Sequence, residues 1–179
     1  NPALDAEQER RFMDMMEKRC WKYFLPVGSS IIVFQIYNIF YALQYTGFQL
    51  NTRGSRVYMT LYLILLTVVA AAFLLRKTVL SRSKEKSRLC LLLYQWFGLI
   101  LLLWAACVTV YDQRVSDNLN VYTVAALGIA VLVYMKPAFS IPCFLAAELV
   151  VLAGMPRFQP GGMLEHYGVY INSVVLAAT

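Results

Sequence analysis

The sequence predicts an all-α, polytopic membrane protein: six transmembrane helices in a bundle, preceded by an amphipathic juxtamembrane helix. Three observations carry this reading. Hydrophobic residues make up 60% of the chain of 179, more than a soluble domain of that size needs for its core. They fall in unbroken runs long enough to cross about 30 Å of hydrocarbon at about 1.5 Å per residue. The charged residues, 15% of the total, cluster at the ends of those runs, where membrane topology and lipid headgroups hold them. The net charge of +6 therefore points to an anionic bilayer surface, and no basic face on a soluble module suggests nucleic acid as a partner.

Residues 1–23 read as the juxtamembrane helix, lying on the membrane surface or packing on a partner copy. Asp5 and Gln8 have the spacing of a capping box, and Met13, Met16, Cys20 and Phe24 follow a helical stripe. Arg10, Arg11, Lys18, Arg19 and Lys22 supply a basic side. The first span is Phe24–Leu43, with Pro26 in its first turn, where a missing N–H costs little. A polar loop, Gln44–Arg56, has Gly47 and Gly54 as turn residues. The second span is Val57–Leu75 and the third Leu89–Tyr111, separated by the basic stretch Arg76–Arg88.

The fourth and fifth spans form a hairpin. Val121–Met135 and Ile141–Met155 flank a turn at Lys136–Ser140. Asp117 is positioned to cap the fourth helix and Ser140 the fifth, with Pro142 in the first turn of the latter. Pro156–His166, with its Gly161-Gly162 pair, reads as irregular. The final run, Tyr167–Thr179, begins a sixth span and stops while still apolar, so that helix is expected to continue beyond residue 179. The membrane domain thus covers 24–179.

Basic residues orient the spans. Placing the N-terminus inside puts Arg10, Arg11, Lys18, Arg19, Lys22, Arg76, Lys77, Arg82, Lys84, Lys86, Arg88 and Lys136 on the cytoplasmic side, and Arg53, Arg56, Arg114 and Arg157 outside. This twelve-to-four asymmetry predicts a multi-pass protein of the inner (plasma) membrane with both termini cytoplasmic. The first apolar run follows a charged helix and lacks a small-residue cleavage site, so it does not read as a signal peptide.

Glu148 is the one acid in the middle of an apolar run. A carboxylate at bilayer depth is costly unless paired, protonated or hydrated. Two readings stand: a ligand contact or proton-sensitive switch, and a protonated acid bonded to a neighbouring helix. Gln35, Asn38 and Tyr41 share one face of the first span, Asn120 and Tyr122 begin the fourth, and Tyr170 and Asn172 lie in the sixth. All fall at similar predicted depth, so they are candidate ligand contacts around an outward-facing pocket; the alternative is interhelical hydrogen bonding. Cys20, Cys90, Cys107 and Cys143 form no CxxC pair and read as small hydrophobes. His166, the single histidine, stands beside Glu165 as a solvated loop residue. There is no zinc spacing, nucleophile–base pair or nucleotide fingerprint, so no catalytic residue, metal or cofactor is expected in this stretch.

Asp117, Asn118 and Asn120, the run Ala126–Ala130, Pro137, Pro156 with Phe158-Gln159, and Tyr170–Ser173 give the chain a resemblance to a known group. From Tyr111 to Ser173 it resembles the six-helix N-terminal membrane region of bacterial GGDEF diguanylate cyclases; related regions precede histidine kinases. The resemblance implies a sensory input domain that recognises a small molecule or lipid, acts as a homodimer and signals through the sixth helix to a cytoplasmic enzyme. The chain itself has no GGDEF motif, so no catalytic residue is carried over. A transporter or channel using Glu148, and a scaffold that only assembles partners, are the other function classes open to it.

Overall fold

The computed structural model describes residues 6–47, 49–78, 86–115, 118–133, 135–158, 168, 171–172 and 175. Among them the secondary structure is entirely helical. Five helices follow one another: α1 (Ala6–Tyr45), α2 (Arg53–Thr78), α3 (Lys86–Asp112), α4 (Asn120–Leu132) and α5 (Pro137–Gly154), the last running into a 3-10 turn at Met155–Arg157. Four of these, α1, α2, α3 and α5, are long and apolar enough to cross a membrane; α4 is apolar but shorter. The chain has the make-up of an all-α membrane protein. Of the expected sixth span, only residues 168, 171–172 and 175 are described, all helical.

Helix ends differ from the apolar runs in instructive ways. No break separates an N-terminal helix from the first span: α1 is one helix of 40 residues with Pro26 inside it. Pro26 therefore removes a hydrogen bond from the helix interior rather than occupying a first turn. The first part of α1 contacts α2 and α3, as described below. Asp5 and its capping box lie outside the described residues.

Gly47 is a turn residue with φ of 61°, a conformation that favours glycine. Gly54 is not: it lies in the first turn of α2, which begins before the apolar run. Thr52 makes that early start possible, its Oγ1 accepting the Ser55 N–H at 3.1 Å.

The hairpin is lopsided. α4 has 13 residues and α5 has 18. Ser140 does not cap α5; Lys136 holds the N-cap position with extended backbone, and Pro137 begins the helix. Proline suits that place because the first helical N–H has no partner to lose. Pro142 then sits inside α5, leaving the Ala138 carbonyl without its usual donor. Asp117 lies outside the described residues; the Asn120 N–H is instead accepted by Asn118 Oδ1 at 2.7 Å.

The chain divides into two compact units. The first holds α1, α2 and the start of α3 through Phe97; the second holds α3 from Gly98, nearly all of α4, and α5. In the first unit, Phe24 is a hub: its ring centroid lies 5.1 Å from Phe73 of α2, 5.1 Å from Tyr94 and 5.0 Å from Phe97 of α3. Gly28, one turn on, meets the same Phe73 ring, so α1 and α2 run antiparallel at close range. Val69, Leu65 and Ala72 line the buried face of α2. In the second unit, Ala105 and Ala106 of α3, Ala126 of α4 and Ala147 of α5 are buried. Small side chains let helix backbones approach, which is the main source of packing where lipid removes the hydrophobic drive. Gly154 fits against Val110 with no room for a Cβ.

Candidate functional site

Glu148 is the twelfth residue of α5, and only 6% of it is exposed. It shares the buried face of α5 with Cys143, Ala147 and Val151. Tyr122, fully buried in the first turn of α4, donates its hydroxyl to Glu148 Oε2 at 3.2 Å. The Tyr122 backbone N–H is one of the orphan donors at a helix start, and it is accepted by Thr109 Oγ1 of α3 at 3.1 Å. Thr109 is also fully buried. One polar chain, Thr109–Tyr122–Glu148, therefore ties three helices together inside an apolar interior. Nearby, Gln113 at the end of α3 is buried and donates Nε2 to the Asn118 carbonyl at 3.2 Å, holding the connection into α4.

Such a chain has two chemical properties. It satisfies groups that would each cost several kcal/mol if left bare in hydrocarbon. It also offers a carboxylate whose interaction with Tyr122 changes in strength with its charge. The sequence singled out both ends of the Tyr122–Glu148 bond but not Thr109, because a lone threonine in an apolar helix carries no signal.

The remaining candidates fall as follows. Asn120 is exposed, and its bond to Asn118 is made by the backbone. Gln35, Asn38 and Tyr41 belong to α1 in the first unit. Gln35 is 4% exposed and, among the described residues, its Oε1 accepts no hydrogen bond. Asn38 is half-buried. Tyr41 is exposed and stacks between Tyr37 and Tyr45, at 6.2 and 6.3 Å between ring centroids. Asn172 is an exposed helical residue, and Tyr170 lies outside the described residues, as do Glu165, His166 and the Gly161-Gly162 pair. The structure thus brings together Tyr122 and Glu148 of the expected set.

A second polar cluster was not foreseen. Glu17 of α1 is 5% exposed and accepts a hydrogen bond from Arg76 of α2 at 2.7 Å. The same guanidinium donates Nε to the Tyr94 hydroxyl of α3 at 2.8 Å and lies 3.6 Å from the centre of the Trp21 ring. One turn earlier on α1, Asp14 accepts a hydrogen bond from Ser87 of α3. The carboxylate, the phenol and the indole face satisfy the charge from three sides. A signal for Glu17 did exist: it stands three residues before Cys20 and seven before Phe24, so an acid lay on the apolar stripe.

Cys20, Cys90 and Cys143 are buried and Cys107 is exposed, all as free thiols. Among the described residues, no group of three or more His, Cys, Asp or Glu side chains is placed to hold a metal ion.

Comparison with protein-family models, with curated proteins and with solved structures finds no match to this chain.

Proposed function

We propose that this chain is the membrane input domain of a bacterial signalling protein. In this reading it crosses the inner membrane six times with both termini in the cytoplasm. It recognises a small molecule or lipid in the outer half of the bundle, and works as a homodimer. The sixth helix carries the signal to a cytoplasmic output domain beyond residue 179, a diguanylate cyclase. The observation that carries the reading is the buried Tyr122–Glu148 bond, backed by Thr109. It is a polar linkage between helices in an apolar interior, so a ligand that takes the place of either partner changes how the helices pack. A ligand shifts such an equilibrium only by its difference in affinity for the two packings. Ligand contacts at Gln35, Asn38, Tyr41, Asn120, Tyr170 and Asn172 belong to this same proposal.

The test uses the full-length protein in proteoliposomes. GTP turnover to a cyclic dinucleotide is measured for the native chain and for Glu148→Leu. The expected result is turnover whose rate changes with the substitution. A protein that turns over no GTP but carries protons or cations across the vesicle wall, and loses that flux in Glu148→Leu, is a transporter or channel instead.

A further inference from the structure

We infer that the start of α2 is a binding site for the phosphate group of an anionic phospholipid, held by Arg53 and Arg56. These residues, with Val57, Thr60 and Leu61, line a surface cleft on the first turns of α2. Arg53, Arg56 and Thr60 are three and four residues apart, which stacks them on one face of the helix. Both arginines are exposed. Three other guanidinium groups are satisfied from within: Arg11 by Glu7, Arg76 by Glu17 and Tyr94, and Arg114 by the Tyr111 hydroxyl at 2.5 Å. Arg53 and Arg56 have no such side-chain partner among the described residues, and no acidic residue stands in the first turn of α2. Two like charges one turn apart repel, so the pair calls for an anion from outside the chain.

The cleft also selects the kind of anion. Arg53 and Arg56 immediately precede the apolar run that starts at Val57, which sets them at headgroup depth when that run lies in hydrocarbon. Val57 and Leu61 give the same cleft an apolar side. A polar, cationic end joined to an apolar flank fits a molecule with a phosphate at one end and an acyl chain at the other. Free phosphate would use only half of it. Arginine forks match phosphate oxygens in pairs. This site is independent of Glu148 and of any output domain, and it holds whichever side of the membrane the end of α2 faces.

The experiment is native mass spectrometry of the detergent-solubilised full chain, titrated with phosphatidylglycerol or phosphatidylcholine. The native chain should retain phosphatidylglycerol more tightly than phosphatidylcholine. The double variant Arg53→Gln/Arg56→Gln should lose about tenfold or more in phosphatidylglycerol affinity, the loss expected when charge-assisted bonds to an anion are removed. Arg53→Lys/Arg56→Lys, which keeps the charge but not the fork, should lose less. Arg114→Gln, whose arginine is already bonded to Tyr111, should retain the lipid like the native chain. Equal retention of the two lipids by the native chain, or unchanged phosphatidylglycerol affinity in the glutamine pair, overturns the proposal. Displacement of the lipid by millimolar inorganic phosphate overturns it as well, since the occupant is then a free anion.

Discussion

Arg76 and Glu17 meet at 2.7 Å although 59 residues separate them in the chain. Both side chains are largely shielded, at 18% and 6% exposure. A shielded ion pair gains little over a well-packed apolar pair, but breaking it from one side strands a charge.

Glu17→Ala is therefore expected to destabilise the first unit by about 3–5 kcal/mol. The double variant Glu17→Leu/Arg76→Met should recover much of that loss. Thermal unfolding in detergent, followed by circular dichroism, measures both. A single variant as stable as the native chain would mean that α1 is not held through this contact.

The Tyr122–Glu148 bond makes a graded prediction. Glu148→Gln keeps an acceptor for the Tyr122 hydroxyl and should cost about 1 kcal/mol or less, whereas Glu148→Leu leaves the hydroxyl bare and should cost about 1–3 kcal/mol. The order of the two unfolding midpoints is the measurement.

Gln35 should behave in the opposite way. Its Oε1 is buried without a donor among the described residues, so Gln35→Leu removes an unmet acceptor and is expected to raise stability by about 1 kcal/mol or more. The same substitution should weaken any response to ligand under the proposed function. A destabilised Gln35→Leu would show that a partner or ligand satisfies the amide in the membrane.

Glycines provide a packing test. A Cβ at Gly154 would lie 2.6 Å from Val110 Cγ1, whereas one at Gly128 would meet nothing within 4 Å. Gly154→Ala should thus cost about 1–3 kcal/mol by overpacking, and Val110→Ala should rescue it. Gly128→Ala should be neutral or slightly stabilising, since alanine favours the helix. At Gly28 the obstacle is the edge of the Phe73 ring at 2.9 Å, which can turn aside, so Gly28→Ala should cost less than Gly154→Ala.

How much of this could be read in advance follows from where each signal lies. Long apolar runs gave the helices, because hydrocarbon tolerates little else. Their ends were misjudged where helix chemistry outlasts hydrophobicity: Thr52 starts α2 ahead of Val57, and Pro137 opens α5 in what looked like a turn. Glu148 stood out because charge in an apolar run is rare. Tyr122 is a candidate from its position at the start of α4, but its bond to Glu148 depends on how α4 and α5 are brought together. Glu17 stands in a charged neighbourhood, where an acid looks solvated, and its burial is decided by Arg76 and Tyr94 from distant parts of the chain.

The unbroken course of α1 has a mechanical consequence. At about 1.5 Å per residue its 40 residues span about 60 Å, roughly twice the hydrocarbon thickness. It is a lever whose pivot is the clasp of Trp21 and Phe24 on α2 and α3. A twist imposed near Gln35 arrives at Asp14 and Glu17 as a twist of the same rod, softened only at Pro26. Whatever turns α1 near Gln35 therefore acts on the same rod that carries Asp14 and Glu17.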